Sequence, residues 1–171
     1  LGGIANGVDD AARGEHGENP LRQSPLTVHL SVRRSRENEV FPGVIEPGAR
    51  AALEATRNKH VGVIGTRATV RSGAYEKVLR ATDNNVRVSS RACPLLVPLI
   101  EEGLLDDEVT DRVIARYLEP LLADGIDTLV LGCTHYPLLS PAIARVLGGE
   151  ITLVDSTGNC ATAVQEMMDR H

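Results

Sequence analysis

The chain has 171 residues and a net charge of −5, with 18 Lys and Arg against 23 Asp and Glu. This charge gives no electrostatic case for binding nucleic acid or an anionic membrane, and no apolar run approaches the ~20 residues of a membrane-spanning helix. The length suits one ordinary domain or two small ones, with an aliphatic core because the chain has no Trp and one Phe.

Cysteine usage and the start of the chain indicate its environment. Cys93, Cys133 and Cys160 are widely spaced and form no CxxC pair, which predicts neither a disulfide framework nor a metal site. The first residues show neither the basic region nor the apolar region of a signal peptide. We therefore expect a reduced, cytoplasmic protein.

Residues 1–40 differ in composition from the rest of the chain. They are rich in Gly, Asn, Glu, Arg and Ser, which predicts an atypical, loop-rich or disordered segment. Within it, Leu26–Val32 alternates as a strand does, and we interpret Arg33–Arg36 as a solvated charge run.

From Phe41 onward, strand and helix patterns alternate. The predicted helices are Pro47–Asn58, Ser72–Thr82, a short or kinked helix within Cys93–Gly103, Asp106–Gly125, Ser140–Gly148 and Gly158–Arg170. The predicted strands are His60–Thr66, Asn85–Ser90, Asp127–Cys133 and Ile151–Ser156. This alternation predicts an α/β fold with a parallel sheet flanked by helices. Ligands bind beyond the carboxyl ends of such strands, which selects the loops Gly65–Ser72, Ser89–Cys93 and Gly132–Pro137.

Reactive side chains follow the third predicted strand: Cys133, Thr134, His135 and Tyr136, directly after Gly132. A thiol near a helix N-terminus can have a lowered pKa and act as a base or nucleophile, and a histidine beside it can be a proton-transfer partner. A cysteine after a strand is also commonly a small buried hydrophobe. The residues alone leave both interpretations open.

Two other groups of polar residues are weaker candidates. Thr66, Thr69 and Ser72 offer hydroxyls near a helix start that can bind a carboxylate, although capping is the ordinary use of such residues. Glu101 and Glu102 follow an apolar stretch, and one of them can point into a cleft. A pair of adjacent glutamates is more often surface charge.

Five segments resemble the glutamate racemase family, in that family's order and with similar spacing. The most specific is the GCTHYPLL stretch, and the resemblance runs from Phe41 to the C-terminus. The segments are Gly43–Ala52, Val61–Tyr75, Ala92–Gly103, Asp127–Leu139 and Leu153–Ser156.

The resemblance implies cofactor-independent interconversion of L- and D-glutamate, which supplies D-glutamate for bacterial peptidoglycan. It implies two similar α/β domains with the site between them. This chain would contribute one racemase-like domain over residues 41–155 and, at 156–171, a C-terminal helix that starts the return to the other domain. Two cysteines facing each other across the substrate are needed, one for each face of the Cα atom.

The resemblance also implies roles for individual residues. Cys133 matches the second catalytic cysteine, and His135 matches the residue that assists it and contacts the substrate. The other matches are substrate-binding residues and a catalytic cleft glutamate: Thr134, Thr69, Thr66 and Glu101.

The start of the chain departs from the family. We find no counterpart of the family's Asp-Ser-Gly motif or of its Ala-Cys-Asn-Thr-Ala motif, and Pro20–Asn38, where the second should lie, contains no cysteine. We therefore interpret the chain as the C-terminal part of a racemase whose N-terminal catalytic half is missing, and expect it to be weak or inactive alone. A non-catalytic α/β fragment, a homodimer and one half of a split enzyme that needs a partner chain remain alternatives.

Overall fold

The computed structural model describes residues 43–169. The predicted strand at Leu26–Val32, the charge run at Arg33–Arg36 and the atypical segment 1–40 lie outside the described residues, and the domain boundaries stay predictions. The elements in chain order are α1 (Ile45–Ala55), β1 (His60–Gly65), α2 (Arg67–Ser72), α3 (Ala74–Thr82), β2 (Arg87–Ala92), α4 (Leu96–Glu101), α5 (Glu108–Ala123), β3 (Thr128–Leu131), a 3₁₀ turn (Tyr136–Leu139), α6 (Ser140–Leu147), β4 (Thr152–Asp155) and α7 (Ser156–Asp169).

The described strands form a parallel sheet in the order β2-β1-β3-β4, which confirms the predicted α/β class. The chain runs from β1 to β2 on one side and then crosses to β3 on the other side of β1. The topological switch point therefore falls between β1 and β3, and ligands of open α/β sheets bind at such a point. Ile64 pairs with Leu131 at the carboxyl end of this strand pair.

Helices cover both faces of the sheet, so β1 is buried along its whole length. On one face, α4, α5, the 3₁₀ turn and α6 enclose an aliphatic cluster that includes Leu96, Ile114, Leu118, Leu129, Leu131 and Ile143. On the other face, α1 and α3 pack over Ala49, Val61, Val63, Leu79 and Val130. Within residues 43–169, no helix is long and apolar enough to cross a bilayer.

The structure corrects two boundaries of the predicted elements. The segment Gly65–Ser72, expected as a loop, contains helix α2, because Thr66 caps that helix by accepting a hydrogen bond from the Thr69 N–H at 3.2 Å. Gly73, with φ of 61°, separates α2 from α3. Strand β2 pairs with β1 as far as Ala92, so Ser89 lies inside a strand and not in a loop.

At the opposite, amino edge of the sheet, the Asp127 carboxylate joins the α1–β1 connection to β3. It accepts hydrogen bonds from the Thr56 hydroxyl (2.6 Å), the N–H groups of Arg57 and Asn58 (2.7 Å each) and the Thr128 hydroxyl (3.0 Å). Partial burial by itself raises the pKa of Asp127, but these four hydrogen bonds outweigh it and hold the pKa below its usual value.

We predict that Asp127→Asn lowers the free energy of unfolding at pH 7 by about 1–2 kcal/mol, discounted for the partial exposure of this carboxylate to water. Because the folded-state pKa is lowered, the stabilisation is complete above the unfolded-state pKa of about 3.9 and is lost as the pH falls through the folded-state value. Urea denaturation of both proteins from pH 7 to pH 3 measures this, and the difference between them should shrink below about pH 4.

The matched control is Glu54→Gln, which neutralises an exposed carboxylate on α1. We expect it to leave stability nearly unchanged across the same range. Equal losses in both variants, or a pH-independent loss in Asp127→Asn, would contradict the assigned role of Asp127.

Candidate active site

The ends of β1 and β3 are held together at the carboxyl edge of the sheet. The Gly132 N–H donates to the Ile64 carbonyl at 2.8 Å. A Cβ atom on Gly132 would lie 2.9 Å from that same carbonyl oxygen and 3.0 Å from Cε2 of Tyr75. Only glycine fits this position without a shift of the backbone or the ring.

The α2 helix closes over the same junction. A Cβ atom on Gly65 would lie 3.0 Å from Cβ of Thr69 and 3.6 Å from the Gly132 carbonyl oxygen. The end of β1, the start of α2 and the end of β3 therefore meet at one point, which is the switch point of the sheet.

Cys133 follows Gly132 and is half-buried, whereas Thr134 and His135 are exposed. The Cys133 Sγ lies 3.8 Å from Nδ1 of His135, within hydrogen-bond reach for sulfur. The Cys133 carbonyl accepts a hydrogen bond from the Tyr136 N–H at 3.1 Å, which turns the chain back toward the sheet. An accessible thiol beside an imidazole can exchange a proton with a bound molecule.

Tyr136 anchors this segment in the core. It is fully buried, and its hydroxyl donates to the Cys93 carbonyl at 2.9 Å. Burial, with smaller contributions from Cys93, Cys133 and Tyr117, raises the pKa of Tyr136. The phenol therefore stays protonated and acts as a structural donor.

Cys93 has a structural environment. It is fully buried, its N–H donates to the Gly65 carbonyl at 2.9 Å, and burial raises the pKa of its thiol to about 12, against a smaller lowering by Arg91. A thiol this strongly protonated is a poor base. Cys93 is therefore poorly suited to proton transfer.

The threonines of the second loop partner each other. The Oγ1 atoms of Thr66 and Thr69 lie 3.0 Å apart, and the capping bond of Thr66 confirms the ordinary interpretation of this residue. Both side chains nevertheless lie at the same carboxyl edge as Cys133, because Thr66 directly follows β1.

Glu101 is the exposed last residue of α4, a helix whose Leu96 and Ile100 are buried. Within the described part of the chain, no hydrogen bond or ion pair joins Glu101 to Cys133 or His135. The structure thus places the cysteine, the histidine and the threonines at one edge of the sheet, and the functional roles of these residues and of Glu101 stay predictions. Residues 43–169 contain no cluster of three His, Cys, Asp or Glu side chains that could hold a metal ion.

Tyr75 and Ser156 also lie at this edge, and local sequence patterns did not identify them as contributors to the site. Tyr75 packs against Gly132, and its hydroxyl donates to Oγ of Ser156, which lies 81 residues away along the chain, at 2.8 Å. The available signal was the rarity of tyrosine in this chain combined with the position of Tyr75 on the inward face of a helix. The partnership with Ser156 requires the tertiary structure.

An open parallel sheet with a thiol and an imidazole at its switch point defines a small-molecule binding or catalytic α/β domain. The model of the Asp/Glu/Hydantoin racemase family matches residues 40–164. The chain belongs to this family.

Within this family, the chain is similar to curated glutamate racemases. A glutamate racemase of Exiguobacterium sibiricum is 48% identical over 140 residues, covering 81% of this chain and 52% of that protein. One of Geobacter metallireducens is 52% identical over 126 residues, covering 74% of this chain and 47% of that protein. The chain spans about half the length of these relatives.

Solved structures of glutamate racemases also resemble this chain over about half of their own length. A glutamate racemase of Bacillus anthracis superposes with a TM-score of 0.71 at 41% identity, covering 75% of this chain and 48% of that one. A glutamate racemase of Francisella tularensis in complex with D-glutamate superposes with a TM-score of 0.68 at 31% identity, covering 74% of this chain and 46% of that one.

We predict that iodoacetamide at pH 8 modifies Cys133 in the folded protein at least about a hundredfold faster than Cys93, because Cys133 is half-buried whereas Cys93 is fully buried and its thiol is held protonated. Mass spectrometry of the separated peptides measures both rates. Urea should bring the two rates together. Comparable rates in the folded protein would contradict the assignment of Cys93 to the core.

Proposed function

We propose that this chain supplies one of the two proton-transferring sides of a glutamate racemase. The observation that carries the proposal is the accessible Cys133 thiol, 3.8 Å from His135 at the switch point of the sheet, in a chain about half identical to glutamate racemases over most of its length. The structure of the Francisella tularensis relative with D-glutamate supports glutamate as the substrate.

The chemistry explains why one thiol is insufficient. The Cα–H bond of an amino acid is very weakly acidic, and inversion requires a proton to leave one face and another to arrive on the opposite face. In one direction the Cys133 thiolate takes the Cα proton, and the electron pair stays on the carbon beside the carboxylate. A second thiol opposite then donates its proton to that carbon and becomes the thiolate. The substrate is neither oxidised nor reduced, and the reverse reaction exchanges the two roles.

The neighbouring residues have complementary roles in this proposal. His135 is the proton-transfer partner that assists Cys133. The exposed Thr134 contacts the substrate, and Thr69 with Thr66 holds its carboxylate through hydroxyl and backbone donors. Glu101 is the cleft glutamate that the family resemblance implies.

The second thiol belongs to another domain, either joined to this chain or supplied separately. The relatives' twofold greater length supports this, and so does the surface around the site. Because the C-terminal end of α5 meets β2 at the amino edge through the Ser89–Asp124 hydrogen bond, the N-terminal end of α5 lies toward the carboxyl edge. Exposed large apolar side chains concentrate at that end: Leu95, Leu104, Leu105, Val109 and Leu138.

A second domain docked on this surface would cover these apolar side chains and exclude water from the thiols. A second copy of this chain would cover the same surface, but it would bring another Cys133 and would lack the family's N-terminal motifs. The proposed cellular role is supply of D-glutamate for peptidoglycan in the cytoplasm.

We predict that the chain alone does not measurably racemise L-glutamate, and that adding the remaining half of the Exiguobacterium sibiricum racemase restores conversion. Circular dichroism, whose sign is opposite for L- and D-glutamate, follows the conversion over time. Cys133→Ser should abolish the restored activity, because a hydroxyl is a far weaker acid than a thiol.

Two surface variants serve as matched probes of the docking. Leu138→Ser changes an exposed leucine three residues after His135. Leu122→Ser changes another exposed leucine, at the C-terminal end of α5 and away from the proposed docking surface. Only the first should weaken complementation. Conversion by the chain alone that survives Cys133→Ser would contradict the proposed function, and failure of both complementation and D-glutamate binding would favour a non-catalytic fragment.

A further inference from the structure

The Tyr75 ring packs against the backbone segment that carries Cys133. The tyrosine is 4% exposed and belongs to α3. Its Cε2 and Cδ2 atoms lie 3.0 Å and 3.5 Å from the place a Gly132 Cβ would occupy, so the ring packs directly on the glycine that precedes Cys133. The Gly132 N–H is fixed from the other side by the Ile64 carbonyl.

The ring of Tyr75 is itself fixed at its far end. Its hydroxyl donates to Ser156 Oγ at 2.8 Å, and Ser156 is 3% exposed. Ser156 begins α7 and lies so close to α1 that a Cβ on Gly48 would be 2.6 Å from its Oγ. The two hydroxyls are therefore buried between α1, α3 and α7, in the close-packed interior of the domain.

The Tyr75 hydroxyl is a donor to Ser156 and not to the substrate edge. Burial raises the pKa of Tyr75, the hydrogen bond to Ser156 opposes this, and Asp155 and Cys133 nearby raise it further. The phenol is therefore protonated at neutral pH, and its proton is directed to Ser156. Tyr75 thus contributes shape and rigidity rather than proton transfer.

We propose that Tyr75, locked by Ser156, is a positioning residue that sets the Gly132–Cys133 backbone and thereby the pairing of the Cys133 thiol with His135. This inference rests on the proposed role of Cys133. In this proposal the helices α1, α3 and α7, which hold Tyr75 and Ser156, also help to position the Cys133 thiol.

Three variants separate the ring from its hydroxyl bond. Tyr75→Leu removes the ring, Tyr75→Phe keeps the ring and removes its hydroxyl, and Ser156→Ala removes the acceptor. Tyr117→Phe is the matched control, since the Tyr117 hydroxyl accepts from the Leu95 N–H at 3.4 Å and is not part of the Gly132 contact. Each variant is prepared with and without His135→Asn.

The measured quantity is the rate at which iodoacetamide modifies Cys133 at pH 7, with buried Cys93 as an internal monitor of general opening. In the wild-type background, His135→Asn should lower the Cys133 rate about threefold, because the imidazole 3.8 Å from the thiol is no longer there to accept its proton during the reaction. Tyr75→Leu should produce a similar loss and make His135→Asn silent. Tyr75→Phe and Ser156→Ala should each produce the same smaller loss, and the double variant should be no worse than either single variant, because both remove one bond.

A second readout does not depend on thiol chemistry. The backbone amide NMR resonances of Gly132 and Cys133 should move in the same direction in Tyr75→Phe and Ser156→Ala, and stay in place in Tyr117→Phe. These amide shifts report on the position of the Gly132–Cys133 backbone even if racemisation is never observed. Failure of the proposed function and failure of this inference can therefore be distinguished.

Three results would overturn the inference. The first is wild-type amide resonances for Gly132 and Cys133 in the folded Tyr75→Phe and Ser156→Ala proteins. The second is additive loss in the double variant. The third is Cys93 becoming reactive in step with the change at Cys133, which would mean that Tyr75 only stabilises the core. If Tyr75→Leu does not fold, the two milder variants decide the question.

Discussion

The close pairing of β1 with β3 at their carboxyl ends is the constraint on which the site depends. The 2.8 Å hydrogen bond from the Gly132 N–H to the Ile64 carbonyl ends β3 at a point where no side chain fits. The chain must then leave the sheet at once, which brings Cys133 out of the core and into partial contact with solvent. The Tyr136 hydroxyl bond to Cys93 turns it back within three residues, so Cys133 and His135 lie on a short, doubly anchored bend.

Two tyrosines hold this bend from opposite layers of the domain. Tyr136 belongs to the cluster under α4, α5 and α6, whereas Tyr75 belongs to the cluster under α1 and α3. Both hydroxyls donate to partners inside the protein, so both phenols have structural roles. The bend that carries Cys133 and His135 is thus packed against both halves of the core, and a proton-transfer site of the proposed kind needs such support.

The sequence predicted the parts of this arrangement that depend on local pattern. Strands such as His60–Gly65 are short apolar runs ended by glycine, and the proximity of Cys133 to His135 follows from their spacing of two residues. Helix α2 was missed because six residues are too few to show a helical period, and Thr66 serves equally well in a loop or as a cap. Strand order, the inert burial of Cys93 and the Tyr75–Ser156 bond across 81 residues depend on tertiary contacts that no local pattern contains.

Deuterium exchange tests most directly the proposal that Cys133 removes and returns a Cα proton on one face of glutamate only. The chain alone, in D₂O, is incubated separately with L- and D-glutamate, and ¹H NMR follows the α-proton signal. We predict slow exchange of one enantiomer without inversion, and loss of that exchange in Cys133→Ser. Equal exchange of both enantiomers, or exchange that persists in Cys133→Ser, would contradict the claim.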